Sequence, residues 1–154
     1  MPPAPERSGL EILHRTAAIL AAAALASLLL YVLVVELILR KGLRPDIALQ
    51  PDSAALMRYA LYGAAVLTVV LIRVLRGLIL RKRPGEDAAV LGRRLLRASV
   101  LTATLSEAPA LLGLVLFLTA GLNRDFYILT AVSLVLMFMF FPRLSHWREW
   151  VAGP

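Results

Sequence analysis

The 154-residue chain contains no cysteine and only two histidines. Without cysteine, a disulfide, a thiolate nucleophile and a cysteine-ligated metal or iron–sulfur cluster are excluded. His14 and His146 flank apolar segments, where interfacial solvation explains them more simply than metal or haem ligation. The glycines form no phosphate-binding loop, and no serine, histidine and carboxylate arrangement suggests hydrolysis. The sequence therefore predicts neither an enzyme nor a cofactor.

Charged residues are also scarce, at 18% of the chain, whereas apolar residues make up 60% and the mean hydropathy is +0.78. A soluble core of this size cannot hide so much apolar surface. The net charge is +7, but the basic residues lie between apolar runs. This arrangement favours anionic lipid headgroups over nucleic acid as the partner.

Four segments approach the roughly 20 apolar residues that a membrane-spanning helix requires. These spans are residues 17–39, 59–80, 98–120 and a short fourth at 126–141. Because the runs are continuously apolar and rich in alanine and leucine, they predict helices rather than a barrel. The first run continues to Val35, too long for a secretory-signal core, so we expect an uncleaved helix. The predicted fold is a single all-α, polytopic membrane domain covering residues 1–154.

The connections between these segments differ in positive charge, which predicts the orientation. Leaving aside two arginines in the second span, ten basic residues fall on one side and five on the other. The first set is Arg7, Arg15, Arg81, Lys82, Arg83, Arg93, Arg94, Arg97, Arg143 and Arg148. The second set is Arg40, Lys41, Arg44, Arg58 and Arg124. Because basic residues near span ends stay in the cytoplasm, we expect a multi-pass protein of the cell membrane with both termini inside.

Two segments near the C-terminus predict local structure. Residues 121–125 are too few for anything but a tight hairpin, so the third and fourth spans should pack antiparallel. After residue 142, Trp147 and Trp150 recur at helical spacing among charged residues. This pattern predicts a short interfacial helix over residues 142–152, with the tryptophans as anchors at headgroup level.

Glu107 is the residue that gives the strongest functional lead. It is the tenth residue of the third span and should lie near the bilayer midplane, where a charge costs about 2.5 to 3.5 kcal/mol. Its helical neighbours one turn away form a mostly small face that another helix can approach closely, and they are Ala103, Thr104, Ala110 and Leu111. Ser106 directly precedes it. Pro109 lacks an N–H and frees the carbonyl of Leu105 beside the carboxyl group.

Three roles for Glu107 remain open at this stage. It can be a hydrogen-bonded or ion-paired packing residue between helices, it can bind a proton or cation, or it can hold a ligand. Burial in apolar surroundings favours the neutral form of a carboxyl group, which a proton carrier must be able to adopt. Arg73 lies at a similar depth in the second span, so it either pairs with Glu107 or extends to the inner interface. An ion pair with Arg73 would oppose reversible protonation.

Glu36 lies near the outer end of the first span. It is followed one helical turn later by Arg40. An i,i+4 ion pair with Arg40 explains this charge without any function.

The loop at residues 81–87, followed by Arg97 and by the segment around Ser106, Glu107 and Pro109, resembles the proteolipid c subunit of rotary ATP synthases and its vacuolar-type relatives. In that family a cytoplasmic loop with an arginine and a proline joins two helices, the second of which carries the ion-binding carboxylate. The resemblance covers about a third of the chain and implies that role for Glu107. Span two differs from the family's glycine-rich partner helix, because it has only Gly63 and Gly77 and carries Arg73.

The sequence thus leads to two functional hypotheses. The first is a proteolipid-like membrane protein in which Glu107, with Arg73, Thr104 and Ser106 as further candidates, binds a proton or cation or pairs with a helix. The second is a non-catalytic accessory or scaffold subunit of a larger membrane complex. Both hypotheses imply other membrane subunits or self-association, together with the lipid bilayer, as partners.

Overall fold

The structure is a computed structural model that describes residues 4–43, 51–81 and 87–152. These residues form five helices and contain no strand, which confirms the predicted all-α fold. The helices are α1 (Ala4–Arg40), α2 (Pro51–Ile79), α3 (Ala88–Ala120), α4 (Asn123–Met139) and α5 (Leu144–Ala152). Most of the basic loop at residues 81–87 lies outside the described residues, as does Arg44.

Three of the helices, α1, α2 and α3, are long and apolar enough to cross a membrane. Helix α4 has only 17 residues. It meets the same test only together with α5, from which it is bent by 50°. The described chain therefore contains three helices able to span a membrane, or four if the bent pair counts as one span.

Helix α3 is the centre of the bundle, because α1, α2 and α4 all pack against it. Halfway along, Leu28 of α1, Ala110 of α3 and Met137 of α4 form one buried cluster. Ala65 of α2 packs with Leu116 and Leu129 in another. The helix that carries Glu107 is therefore surrounded by the other long helices.

The bundle has two ends, which we name by residues of α1. At the His14 end, Ala17 packs with Leu95 and Trp147, which holds α5 against α1 and α3. At the Val35 end, Val35 packs with Phe117 and Phe126 where α3 turns into α4.

Glycines end two of the long helices. Gly42 follows α1 with φ +68°, and the N–H of Leu43 then donates to the carbonyl of Ile38 at 3.1 Å. Gly121 follows α3 with φ +65°. Glycine adopts this left-handed conformation without the steric cost that other residues carry. The short connection after Gly121 agrees with the predicted hairpin and sets α3 against α4.

Candidate functional site

The carboxyl group of Glu107 lies between α3 and α1. Its Oε1 atom accepts hydrogen bonds from the hydroxyl of Ser27 at 2.6 Å and from the hydroxyl of Tyr31 at 2.5 Å. Ser27 and Tyr31 are four residues apart and so lie on one face of α1. Glu107 is half-buried, as are both of its partners. The two hydroxyl groups on this face of α1 therefore lie directly opposite the Glu107 carboxyl group of α3.

Apolar packing and a helix irregularity fix the position of this site. Ala110, fully buried one turn after Glu107, packs with Leu28 of α1 and with Met137 of α4. Pro109 interrupts the hydrogen-bond ladder of α3. The N–H of Ala110 donates to Ser133 Oγ of α4 at 2.8 Å. Helix α4 thus supplies an acceptor where the proline disturbs α3, so the segment that follows Glu107 is held in place.

The Ser27 hydroxyl has two hydrogen-bond acceptors within reach. The Ser27 hydroxyl lies 2.8 Å from the carbonyl oxygen of Ala24 and 2.6 Å from Glu107 Oε1. A hydroxyl has one proton to donate. When Glu107 is ionised, Ser27 can therefore donate to only one of these two acceptors at a time. A proton on Glu107 completes the set, because the carboxyl group donates to Ser27 Oγ and Ser27 donates to Ala24.

The other predicted candidates do not join Glu107. Arg73 is exposed on α2 and makes no hydrogen bond or ion pair with the part of the chain that the structure describes. The Thr104 hydroxyl donates to the carbonyl of Val100 in its own helix at 3.1 Å. Ser106 is fully buried, and its hydroxyl has no hydrogen-bond partner within the described residues.

The two candidate anchors differ in exposure. Trp147 is buried, packs with Ala17 and Leu95, and meets the His14 ring edge to face with a centroid distance of 5.4 Å. Trp150 is half-buried against the same cluster. His14 also places Nε2 3.1 Å from the carbonyl oxygen of Pro142. These contacts dock α5 on the bundle.

A second polar cluster, which sequence reasoning missed, occupies the Val35 end. Asp125, in the first turn of α4, is 2% exposed. Its Oδ1 atom accepts hydrogen bonds from Arg58 Nε at 2.9 Å and from the Tyr62 hydroxyl at 2.8 Å, and Arg58 also forms an ion pair with it. The opposite charges of Arg58 and Asp125 on the same predicted side were the available signal. Nothing in the sequence showed that the start of α2 faces the start of α4.

Glu36 has a different partner from the one predicted. Its carboxylate accepts a hydrogen bond from the Tyr127 hydroxyl of α4 at 2.6 Å. Within the described segments it forms no ion pair with Arg40. Three tyrosines, Tyr31, Tyr62 and Tyr127, thus each donate to a carboxylate on another helix.

No cluster of three or more histidine, cysteine or acidic residues suited to a metal ion occurs in the described part of the chain. The chemistry available at Glu107 is that of one carboxyl group and two hydroxyl donors. Comparison with known protein families, with curated proteins and with solved structures finds no match for this chain.

Proposed function

We propose that the chain is an integral membrane protein that crosses the bilayer four times, with α4 as the fourth span. The 17 residues of α4 rise about 25 Å, a little less than a hydrocarbon layer of about 30 Å. The start of α4 packs beside Val35 of α1, and the turn after α4 reaches His14 of α1. These two residues are separated by about 31 Å along α1. Helix α4 and its turn therefore cover nearly the same thickness as the part of α1 between His14 and Val35, and local thinning accommodates the difference.

Both termini face the cytoplasm in this proposal. The excess of basic residues in the connections on that side supports the assignment. The packing at the His14 end is consistent with it, because Arg148 of α5 forms an ion pair with Glu11 of α1 at 2.6 Å. The N-terminal part of α1 and the C-terminal helix thus share one side.

Within this bundle, Glu107 acts as a proton-binding group in a proteolipid-like membrane protein. The observation that carries this proposal is that the Ser27 hydroxyl lies within hydrogen-bond distance of both the Ala24 carbonyl and Glu107 Oε1, and a proton on Glu107 lets both contacts form as separate hydrogen bonds. A proton fits these contacts better than a metal ion does, because both hydroxyls already lie at hydrogen-bond distance from one carboxylate oxygen. The absence of a cationic side chain among Glu107's described partners supports reversible protonation.

The test is labelling with a hydrophobic carbodiimide, which reacts with protonated carboxyl groups in the membrane. We expect Glu107 to be labelled near neutral pH and less so as the pH rises, with the site mapped by mass spectrometry. Glu107→Gln should lose the label. Asp125 serves as an internal control that should react less, because Arg58 and Tyr62 already occupy its buried carboxylate. A Glu107 that remains unlabelled near neutral pH contradicts the proposal.

The same contacts also fit a second function, that of an accessory or scaffold subunit. In that case Glu107 is a fixed packing group, since its carboxyl group is already occupied by Ser27 and Tyr31 of the same chain. Native mass spectrometry of complexes extracted from the membrane separates the two functions. Several copies in a closed homo-oligomer support the proteolipid class, whereas one copy beside foreign chains supports the accessory class.

A further inference from the structure

Two arginines that lie close together near the end of α2 have no acidic partner among the residues that the structure describes. Arg73 is exposed and Arg76, three residues later on the same side of the helix, is half-buried. The guanidinium carbon of Arg76 lies 5.1 Å from the centre of the ring of Phe140, which directly follows α4, and this contact holds the Arg76 side chain against α4. Neither arginine forms an ion pair with a carboxylate in the part of the chain that the structure describes.

If α2 crosses the bilayer as proposed, the positive charge of Arg73 lies at a depth where an anionic partner would stabilise it. Arg73 lies six residues before Ile79, the last residue of α2, so it is about 9 Å inside the helix end. An arginine at this depth extends its guanidinium toward the nearer membrane surface, where lipid phosphate groups are located. The planar guanidinium group binds phosphate through paired hydrogen bonds.

Gly77 leaves room for this extension. Side chains on a helix tilt toward its N-terminus, whereas Arg73 has to bend toward the C-terminal end of α2. Gly77, one turn beyond Arg73 on the same face, has no atom within 4 Å of the place where a Cβ would lie. The space above Gly77 therefore provides an open path from Arg73 to the end of the helix.

The surface on the other side of Arg73 is apolar. Val70 and Val66 precede Arg73 by one and two turns on the same face and are 51% and 63% exposed. A ligand with a phosphate group at one end and a hydrocarbon chain at the other matches this order of groups. We propose that Arg73 and Arg76 bind the phosphate of a membrane phospholipid above Gly77, with an acyl chain along Val70 and Val66.

The proposal is tested by titrating the detergent-extracted protein with phosphatidylglycerol and counting bound lipid by native mass spectrometry. We expect one tightly bound lipid, with affinity falling about fivefold for each arginine changed to glutamine. Gly77→Leu keeps both charges but fills the path, so it should also weaken binding. Arg124→Gln, which removes the same charge at the opposite end of the bundle, should leave the affinity unchanged. Arg73→Lys should retain part of it.

Two results would overturn the site. Equal lipid binding by the wild type and by the Arg73→Gln/Arg76→Gln double variant contradicts it, as does an equal loss in Arg124→Gln, which would indicate general charge attraction. If inorganic phosphate alone displaces the lipid completely at a similar concentration, the site binds an anion and not a phospholipid. The site rests on the proposal that α2 spans the membrane. Protein recovered in the soluble fraction would contradict both, whereas membrane-bound protein without specific lipid contradicts only the site.

Discussion

The close contact between α3 and α4 at Gly113 provides the sharpest test of the packing that positions Glu107. A Cβ atom on Gly113 would lie 3.0 Å from Leu129 Cβ, 3.1 Å from Phe126 Cα and 3.2 Å from Phe126 O. Two of these atoms belong to the backbone and the third is fixed to it, so no side-chain rotation relieves the contact. Gly113→Ala therefore has to push the two helices apart.

The cost of this separation can be set against helix propensity. Carbon atoms prefer about 3.5 to 4.0 Å, so the helices must move by about 0.5 Å or more, and contacts to the buried Phe126 and Leu129 weaken. Overpacking of this kind typically costs about 1 to 3 kcal/mol. Replacing glycine by alanine within a helix returns about 0.5 to 1 kcal/mol. We expect Gly113→Ala to be destabilised by up to about 2.5 kcal/mol, and by about 1 kcal/mol at the middle of these ranges.

Gly63→Ala is the matched control, because Gly63 lies within α2 and has no atom within 4 Å of its Cβ position. This variant gains the higher helix propensity of alanine without a steric clash, so its stability should be unchanged or slightly increased. Stability is measured by thermal unfolding in detergent, followed by tryptophan fluorescence. Equal melting temperatures for the two variants would refute the close approach of α3 and α4 at Gly113.

Two further predictions concern ion pairs in different surroundings. Arg58→Met leaves the buried Asp125 carboxylate without its cation and should destabilise the protein, although the 47% exposure of Arg58 moderates the loss. Denaturant unfolding measures this, and the Arg58→Met/Asp125→Leu double variant should recover part of the loss. Arg148→Gln removes an exposed pair with Glu11 and should cost less than about 1 kcal/mol, with the difference vanishing at high salt. A loss in Arg148→Gln as large as that in Arg58→Met would contradict the difference in burial on which both predictions rest.

The helices were predictable from composition, but their ends were not. Apolar runs predicted spans beginning at residues 17, 59 and 98, whereas α1, α2 and α3 begin at Ala4, Pro51 and Ala88. A hydropathy window measures the length of chain that fits in hydrocarbon. Charged residues such as Arg93 and Arg94 are good helix formers, so the helices continue past the apolar segments. The length of an apolar segment therefore does not give the length of the helix that contains it.

Glu107 stood out in the sequence because a charge in an apolar run is costly. Its partners Ser27 and Tyr31 did not stand out, because an uncharged serine or tyrosine within an apolar helix has a much smaller insertion cost than a charged residue. Ser27 and Tyr31 are 80 and 76 residues away in sequence, so no local pattern connects them to Glu107. The sequence proposed Arg73 as a partner on the basis of depth alone. Depth leaves open which helix face points toward which neighbour.

The polar contacts between helices show how the bundle specifies which helix faces pack together. Lipid tails are as apolar as leucine, so burying apolar side chains gives little preference for one helix face over another in a membrane. The bonds from Tyr31 to Glu107, from Tyr62 to Asp125 and from Tyr127 to Glu36 each join a different pair of helices. A rotation or a one-turn shift of any of these helices breaks at least one of them. The Tyr31–Glu107 contact therefore fixes α3 against α1, the other two fix α4 against α2 and α1, and Glu107 is positioned by one of the contacts that hold the bundle together.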